Sequence, residues 1–248
     1  MNDFNRAYSP GPTGQTMDMS VNEGLRSFML GVYNKMALGL LLTAGLAYAF
    51  GAMVPESVTL TLLTGPIGLV IMFAPLAILL LSGFVMKNPS PTAANLVYWS
   101  VVSLIGVGMG AIVYVYARQP EGMLIVSKAF LTTAVAFGGL SLYGYTTKRD
   151  LSGFGVFLIM GVVGVIVASI LNMFIFKSSM FHMVISVVGL LLFAGLTAYD
   201  TQRLKNMYFQ IAGDARAMAV ATTYGALSLY LDFINMFQFL LAIMSGRD

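Results

Sequence analysis

Two acids sit inside long apolar runs of this chain: Asp200 in LTAYDTQRLK and Asp232 in ALSLYLDFINMF. A charged side chain at the centre of a bilayer costs roughly 3 kcal/mol on insertion scales, so such a residue is expected to face a protein interior and to have a partner or a function. Two carboxylates in one low-dielectric site do not ionise together comfortably, and a coupled pair exchanges its protons in linked steps. Once ionised, their oxygens suit a hard cation such as Ca²⁺. The chemistry on offer at Asp200 and Asp232 is proton-sensitive gating of a cation path. Such a cation would be held weakly and in passing, and no resident cofactor is expected.

The surroundings of the two acids share a pattern. Tyr224, Ser228, Asp232 and Asn235 recur at helical spacing and form one polar stripe. Tyr199 stands beside Asp200, and His182, Ser186, Thr197 and Asp200 lie within a broader stripe of the preceding apolar run. The two runs are joined by a short loop, which makes them antiparallel neighbours. The midpoint of 200 and 232 falls at 216, near that loop, so both acids are expected to meet at one depth. Asp200 has an alternative reading: Arg203 and Lys205 follow closely and could pair with it at the membrane interface. His182 reads as an interfacial histidine rather than a ligand.

The elements that must position these residues follow from composition. Of the 248 residues 58% are hydrophobic and 9% charged, with mean hydropathy +0.85. Soluble domains carry about 25% charged residues, so the chain reads as an all-α integral membrane protein. Cys is absent and His182 is the single histidine, which excludes disulfides, thiolate nucleophiles and histidine-cluster metal sites. Neither a phosphate-binding loop nor a basic nucleic-acid stripe occurs.

Seven transmembrane helices are expected at about 28–53, 58–86, 92–117, 123–147, 151–176, 180–207 and 216–245, each long enough to cross about 30 Å of hydrocarbon. Pro66 and Pro75 are placed to bend or interrupt the second. Residues 1–27 are polar and read as a flexible tail with no cleavable signal, leaving 28–248 as the membrane domain. Arg6, Arg26, Lys87, Lys148, Arg149, Arg203, Lys205 and Arg216 fall on the N-terminal side, against Arg118, Lys177 and Arg247 opposite. That bias puts the N-terminus in the cytoplasm and the C-terminus outside. Lys35 and Lys128 lie just inside helix ends, where they can snorkel. Gly106-x-x-x-Gly110 reads as a helix-packing motif, and the scattered methionines as adaptable packing.

LTAYDTQRLK, ALSLYLDFINMF and the first-helix stretch FMLGVYNKMALGLLLTAGLAY together resemble the Bax inhibitor-1 (transmembrane BAX inhibitor motif) family, over nearly the whole chain after the tail. The resemblance implies a seven-helix fold whose C-terminal helix is central and wrapped by the other six. It also implies a pH-sensitive calcium leak with Asp200 and Asp232 as proton sensor, in a multi-pass protein of the bacterial inner membrane. Similar proteins add a basic latch on the pair from the end of the second helix, a position that Lys87 in GFVMKNPSP matches. Lys lacks the two-pronged fork of Arg, and Lys87 also reads as an ordinary loop charge.

Two other functions compete. An intramembrane aspartyl protease also pairs Tyr-Asp with a second Asp. It needs Gly-x-Gly-Asp, where this chain has Leu229-Tyr230-Leu231-Asp232. A non-catalytic regulator would bind a membrane protease or another membrane protein, with the tail as its handle. A retinal protein is excluded because the last helix has no Lys for a Schiff base.

Overall fold

The computed structural model describes residues 14–63 and 65–246. Eight helices follow in order: α1 (Gly14–Tyr48), α2 (Glu56–Leu63), α3 (Gly65–Val85), α4 (Pro91–Tyr116), α5 (Gly122–Thr146), α6 (Ser152–Leu171), α7 (Ser179–Ile211) and α8 (Ala215–Ser245). α1 and α6 each end in a π-helical turn, Ala49–Met53 and Asn172–Phe176. Seven of the helices are long and apolar enough to cross a membrane, and α2 is too short. Large apolar side chains such as Phe84, Leu131, Met160 and Met180 stand exposed around the bundle, as bilayer-facing surface does.

Two boundaries differ from expectation. The first helix is already formed at Gly14, the first described residue, rather than starting near residue 28. Residues 1–13 of the expected tail lie outside the described residues, while Leu25 is already buried in the core. The second expected span divides into α2 and α3. Gly65 takes φ +71°, the left-handed region open to glycine, and Pro66 follows it in the first turn of α3, where a missing N–H costs nothing. Pro75 remains inside α3.

The helix starts are written locally. Ser90 Oγ accepts from the Ala93 N–H ahead of Pro91, Ser178 Oγ accepts from the Phe181 N–H, and Asp214 Oδ1 accepts from the N–H groups of Arg216 and Ala217. These caps set where α4, α7 and α8 enter the bundle.

α8 is the most buried span. It packs directly on α1, α4, α5 and α7, while α3 lies outside on α4 and α6 lies outside on α7. The helix expected to be wrapped by six others is thus held by four, with two more in a second layer. Gly106 and Gly110 close the α1–α4 contact. A Cβ on Gly106 would lie 3.1 Å from Thr43 Cα, and one on Gly110 would lie 3.1 Å from Phe50 Cβ. That is the close backbone approach expected of a small-xxx-small pattern.

Candidate functional site

Three successive residues of α7 address three neighbours, because each step of an α-helix turns the side chain by about 100°. Asp200 faces α8, where the Ser228 hydroxyl donates to its Oδ2. Thr201 faces α5 and shares a hydrogen bond of 2.9 Å with Ser141, which in turn meets Tyr33 of α1. Gln202 faces the α5–α6 loop, accepting from the Leu151 N–H and donating to the Arg149 carbonyl, both at 2.8 Å. One polar run therefore ties α7 to everything around it, and leaves Asp200 aimed at the central helix.

Along the α7–α8 seam, Leu204 lies against Gly225, Asp200 against Ser228, Gly189 against Phe239 and Met183 against Gly246. In that register Asp200 is level with Ser228, and Asp232 is one turn, about 6 Å, further along α8. The two acids do not meet at one depth as the loop-midpoint argument expects, because the α7–α8 turn is centred on Gly213 rather than on residue 216. Asp200 and Asp232 are 5% and 4% exposed, and they are near enough to feel each other's charge and that of Arg203.

Their partners are unequal. Arg203 Nη2 lies 3.3 Å from Asp200 Oδ1 and 3.2 Å from Ser228 Oγ, and the Arg203 side chain is 41% exposed. Asp232 Oδ2 is buried with no hydrogen-bond partner among the described residues. Buried polar atoms are nearly always satisfied, and this oxygen is an exception among the described residues. Tyr199 flanks the group, with the Arg203 guanidinium 5.7 Å from its ring centre. Asn235 donates to the Leu231 carbonyl of its own helix at 2.8 Å rather than to either acid, and Tyr224 is half-buried two turns before Asp232.

Lys87 does not fill the latch position. The cation beside Asp200 is Arg203, which reaches it as an i, i+3 neighbour on α7. Lys87 is exposed in the α3–α4 loop. That loop lies at the start of α8, where Arg216 Nη2 comes within 3.5 Å of the Asn88 carbonyl. Among the described residues Lys87 pairs with neither Asp200 nor Asp232.

A second polar seam runs up the opposite face of α8. Thr223 and Asp232 are nine residues apart, which turns them half a circle from each other. Thr223 Oγ1 accepts from Lys35 Nζ at 2.7 Å, Asn95 of α4 accepts from the same ammonium, and the Tyr98 ring centre is 5.5 Å away. Further along, Tyr230 and Thr43 share a hydrogen bond of 2.7 Å. Lys35 thus binds across α1, α4 and α8 instead of only snorkelling. Thr223 and Tyr230 are seven residues apart, a periodicity present in the sequence but overshadowed by the acidic stripe.

The sequence matches, over residues 25–248, the family described as "Inhibitor of apoptosis-promoting Bax1". The chain belongs to the Bax inhibitor-1 family. It is 51% identical to an uncharacterised protein of Caulobacter vibrioides, covering 100% of this chain and 99% of that one. It is 38% identical to the Rickettsia prowazekii protein RP147, covering 97% and 98%. With the inner membrane protein YbhL of Escherichia coli K12 it shares 39% identity, covering 90% and 93%. An inner membrane protein among its relatives agrees with the seven helices, among the described residues, that are long and apolar enough to cross a membrane.

Proposed function

We propose that this Bax inhibitor-1 family protein is a pH-gated calcium leak of the bacterial inner membrane, with Asp200 and Asp232 as its proton sensor. The observation that carries the reading is the unpartnered, buried Oδ2 of Asp232 beside a second carboxylate in the most buried span. Protonation neutralises the site. Deprotonation leaves a charge that only a proton or a passing hard cation can meet. Asp200 is the tethered member, held by Ser228 and Arg203, and Asp232 is the free one. The end of the bundle that carries Lys87, Arg149, Arg203 and Arg216 is the cytoplasmic end, so Arg203 stands between the pair and the cytoplasm.

Reconstitution decides between this and the regulator reading. Calcium entry into dye-loaded proteoliposomes is followed across the pH range either side of neutrality, for wild type, Asp200→Asn and Asp232→Asn. A protein-dependent flux that varies with pH in wild type and not in the variants is the expected result. No flux above empty liposomes at any pH would transfer the function to binding another membrane protein.

A further inference from the structure

At the end of the bundle away from the basic loops, α4, α7 and α8 part around a vestibule of about 690 Å³. Its lining is mostly apolar, with polar groups from Tyr116, Ser179, His182, Gln238 and Ser245, of which His182 and Gln238 are exposed. Phe239 also lines it. This aromatic ring lies over Gly189, where a Cβ would come within 2.5 Å of Cε2, and its centre is 6.0 Å from that of Phe193. Immediately beyond comes Met236, 1% exposed, whose sulfur accepts from the Thr197 hydroxyl at 3.4 Å. Asp232 is the next turn.

Seven residues of α8, about 10 Å, separate Phe239 from Asp232. The side chains filling that part of the seam are Phe239, Phe193 and Met236. The open vestibule on one side and the orphan carboxylate oxygen on the other are separated along α8 by these apolar side chains. Such a constriction blocks ions by staying dry, without any charge of its own. Gly189 is what allows the ring to lie flat enough to close it.

We propose that the vestibule is the outer mouth of the cation path and that Phe239, seated on Gly189 and backed by Phe193 and Met236, is its hydrophobic gate. The assignment rests on the leak reading, since a gate presupposes a path. It is tested independently of calcium, because the chain has no native Cys and single cysteines report water access directly.

The experiment labels His182→Cys, exposed in the vestibule, and Met236→Cys with a membrane-impermeant methanethiosulfonate, in sealed vesicles of each orientation. The face from which His182→Cys reacts defines the vestibule side. From that side Met236→Cys is expected to be inert with Phe239 present, and to react faster by on the order of tenfold or more once Phe239→Ala removes the ring. Gly189→Ala, which displaces the ring without deleting it, is expected to act the same way and stands in if Phe239→Ala does not fold. Equal labelling of Met236→Cys with and without Phe239 would overturn the gate. So would continued inertness in both opened variants while His182→Cys still reacts. Access gained without calcium flux in any variant would keep the barrier and overturn the leak. Flux gained without access would overturn the gate alone.

Discussion

Asp200 stands level with Ser228, one helical turn short of Asp232. The two acids of this bundle are therefore staggered and chemically unequal. One carboxylate accepts from a hydroxyl and faces a guanidinium; the other has an oxygen that nothing in the described residues completes. A pair sharing one proton symmetrically, as an aspartyl protease requires, would need the two groups at one depth. A tethered acid below a free one suits a sensor better.

That inequality makes the variants distinguishable. Asp232→Asn is expected to abolish the pH dependence of flux, since the free acid is the one whose charge changes without compensation. Asp200→Asn should flatten it as well, and should in addition release Arg203 and Ser228. Asp214→Asn, which keeps the exposed cap of α8, should leave the profile unchanged. Dye-loaded proteoliposomes read all three, and a wild-type profile for Asp232→Asn would remove the sensor from this site.

Arg203 and Lys87 part company in the same assay. Arg203→Gln removes the one cation that pairs with Asp200 among the described residues and should change the pH profile of flux. Lys87→Gln should not change it, because Lys87 is exposed and pairs with neither acid among the described residues. The reverse result would restore Lys87 as the latch.

The seven spans, the polar stripe of α8 and the burial of both acids are legible in the sequence, because hydropathy and helical period need no partner to be read. What is not legible depends on register. The sequence places Asp200 within reach of Arg203, Lys205, Asp232 or Lys87, and only the packing of α7 on α8 chooses Arg203 and sets Ser228 rather than Asp232 opposite. The division of the second span is half visible: Gly65 and Pro66 mark a break, yet whether a Gly-Pro pair bends or interrupts depends on the φ that glycine takes. Lys35 illustrates the remainder. A basic residue inside a helix end reads as snorkelling until Asn95 and Thr223, 60 and 188 residues away, are seen to accept from it.

In the α5–α6 loop, Asp150 Oδ1 accepts from the Ser152 N–H at 2.9 Å, and the bonds from Ser152 hold its carboxyl below the ordinary 3.8. A carboxylate with a depressed folded value contributes stability above its unfolded value, and that contribution is lost as pH falls through the folded one. Asp150→Ala should therefore melt slightly lower than wild type at neutral pH. The difference should close in acid well below 3.8. Thermal unfolding in detergent at the two pH values checks this, and a difference that persists in acid would assign the effect to something other than the ionised carboxylate.

Two glycines of α5, six residues apart, should respond to alanine in opposite ways. Gly144 is buried against α7, where an added Cβ would fall 2.2 Å from the Ala198 carbonyl oxygen and 2.9 Å from Ala198 Cα. Those are backbone atoms, which no rotamer change can move aside, so α5 and α7 must separate. Gly144→Ala should cost about 1–3 kcal/mol, the usual penalty for overpacking a well-filled contact. It should also disturb the bonds that cross the same interface, Thr201 to Ser141 and Lys205 to the Tyr145 carbonyl. Gly138 is exposed with open space around it, and Gly138→Ala should be neutral or stabilising by up to about 1 kcal/mol through helix propensity alone. Because the α5–α7 contact also fixes the azimuth of Asp200, Gly144→Ala should alter the pH profile of flux where Gly138→Ala does not. Equal melting temperatures for the two variants would mean that α5 does not approach α7 this closely in the membrane.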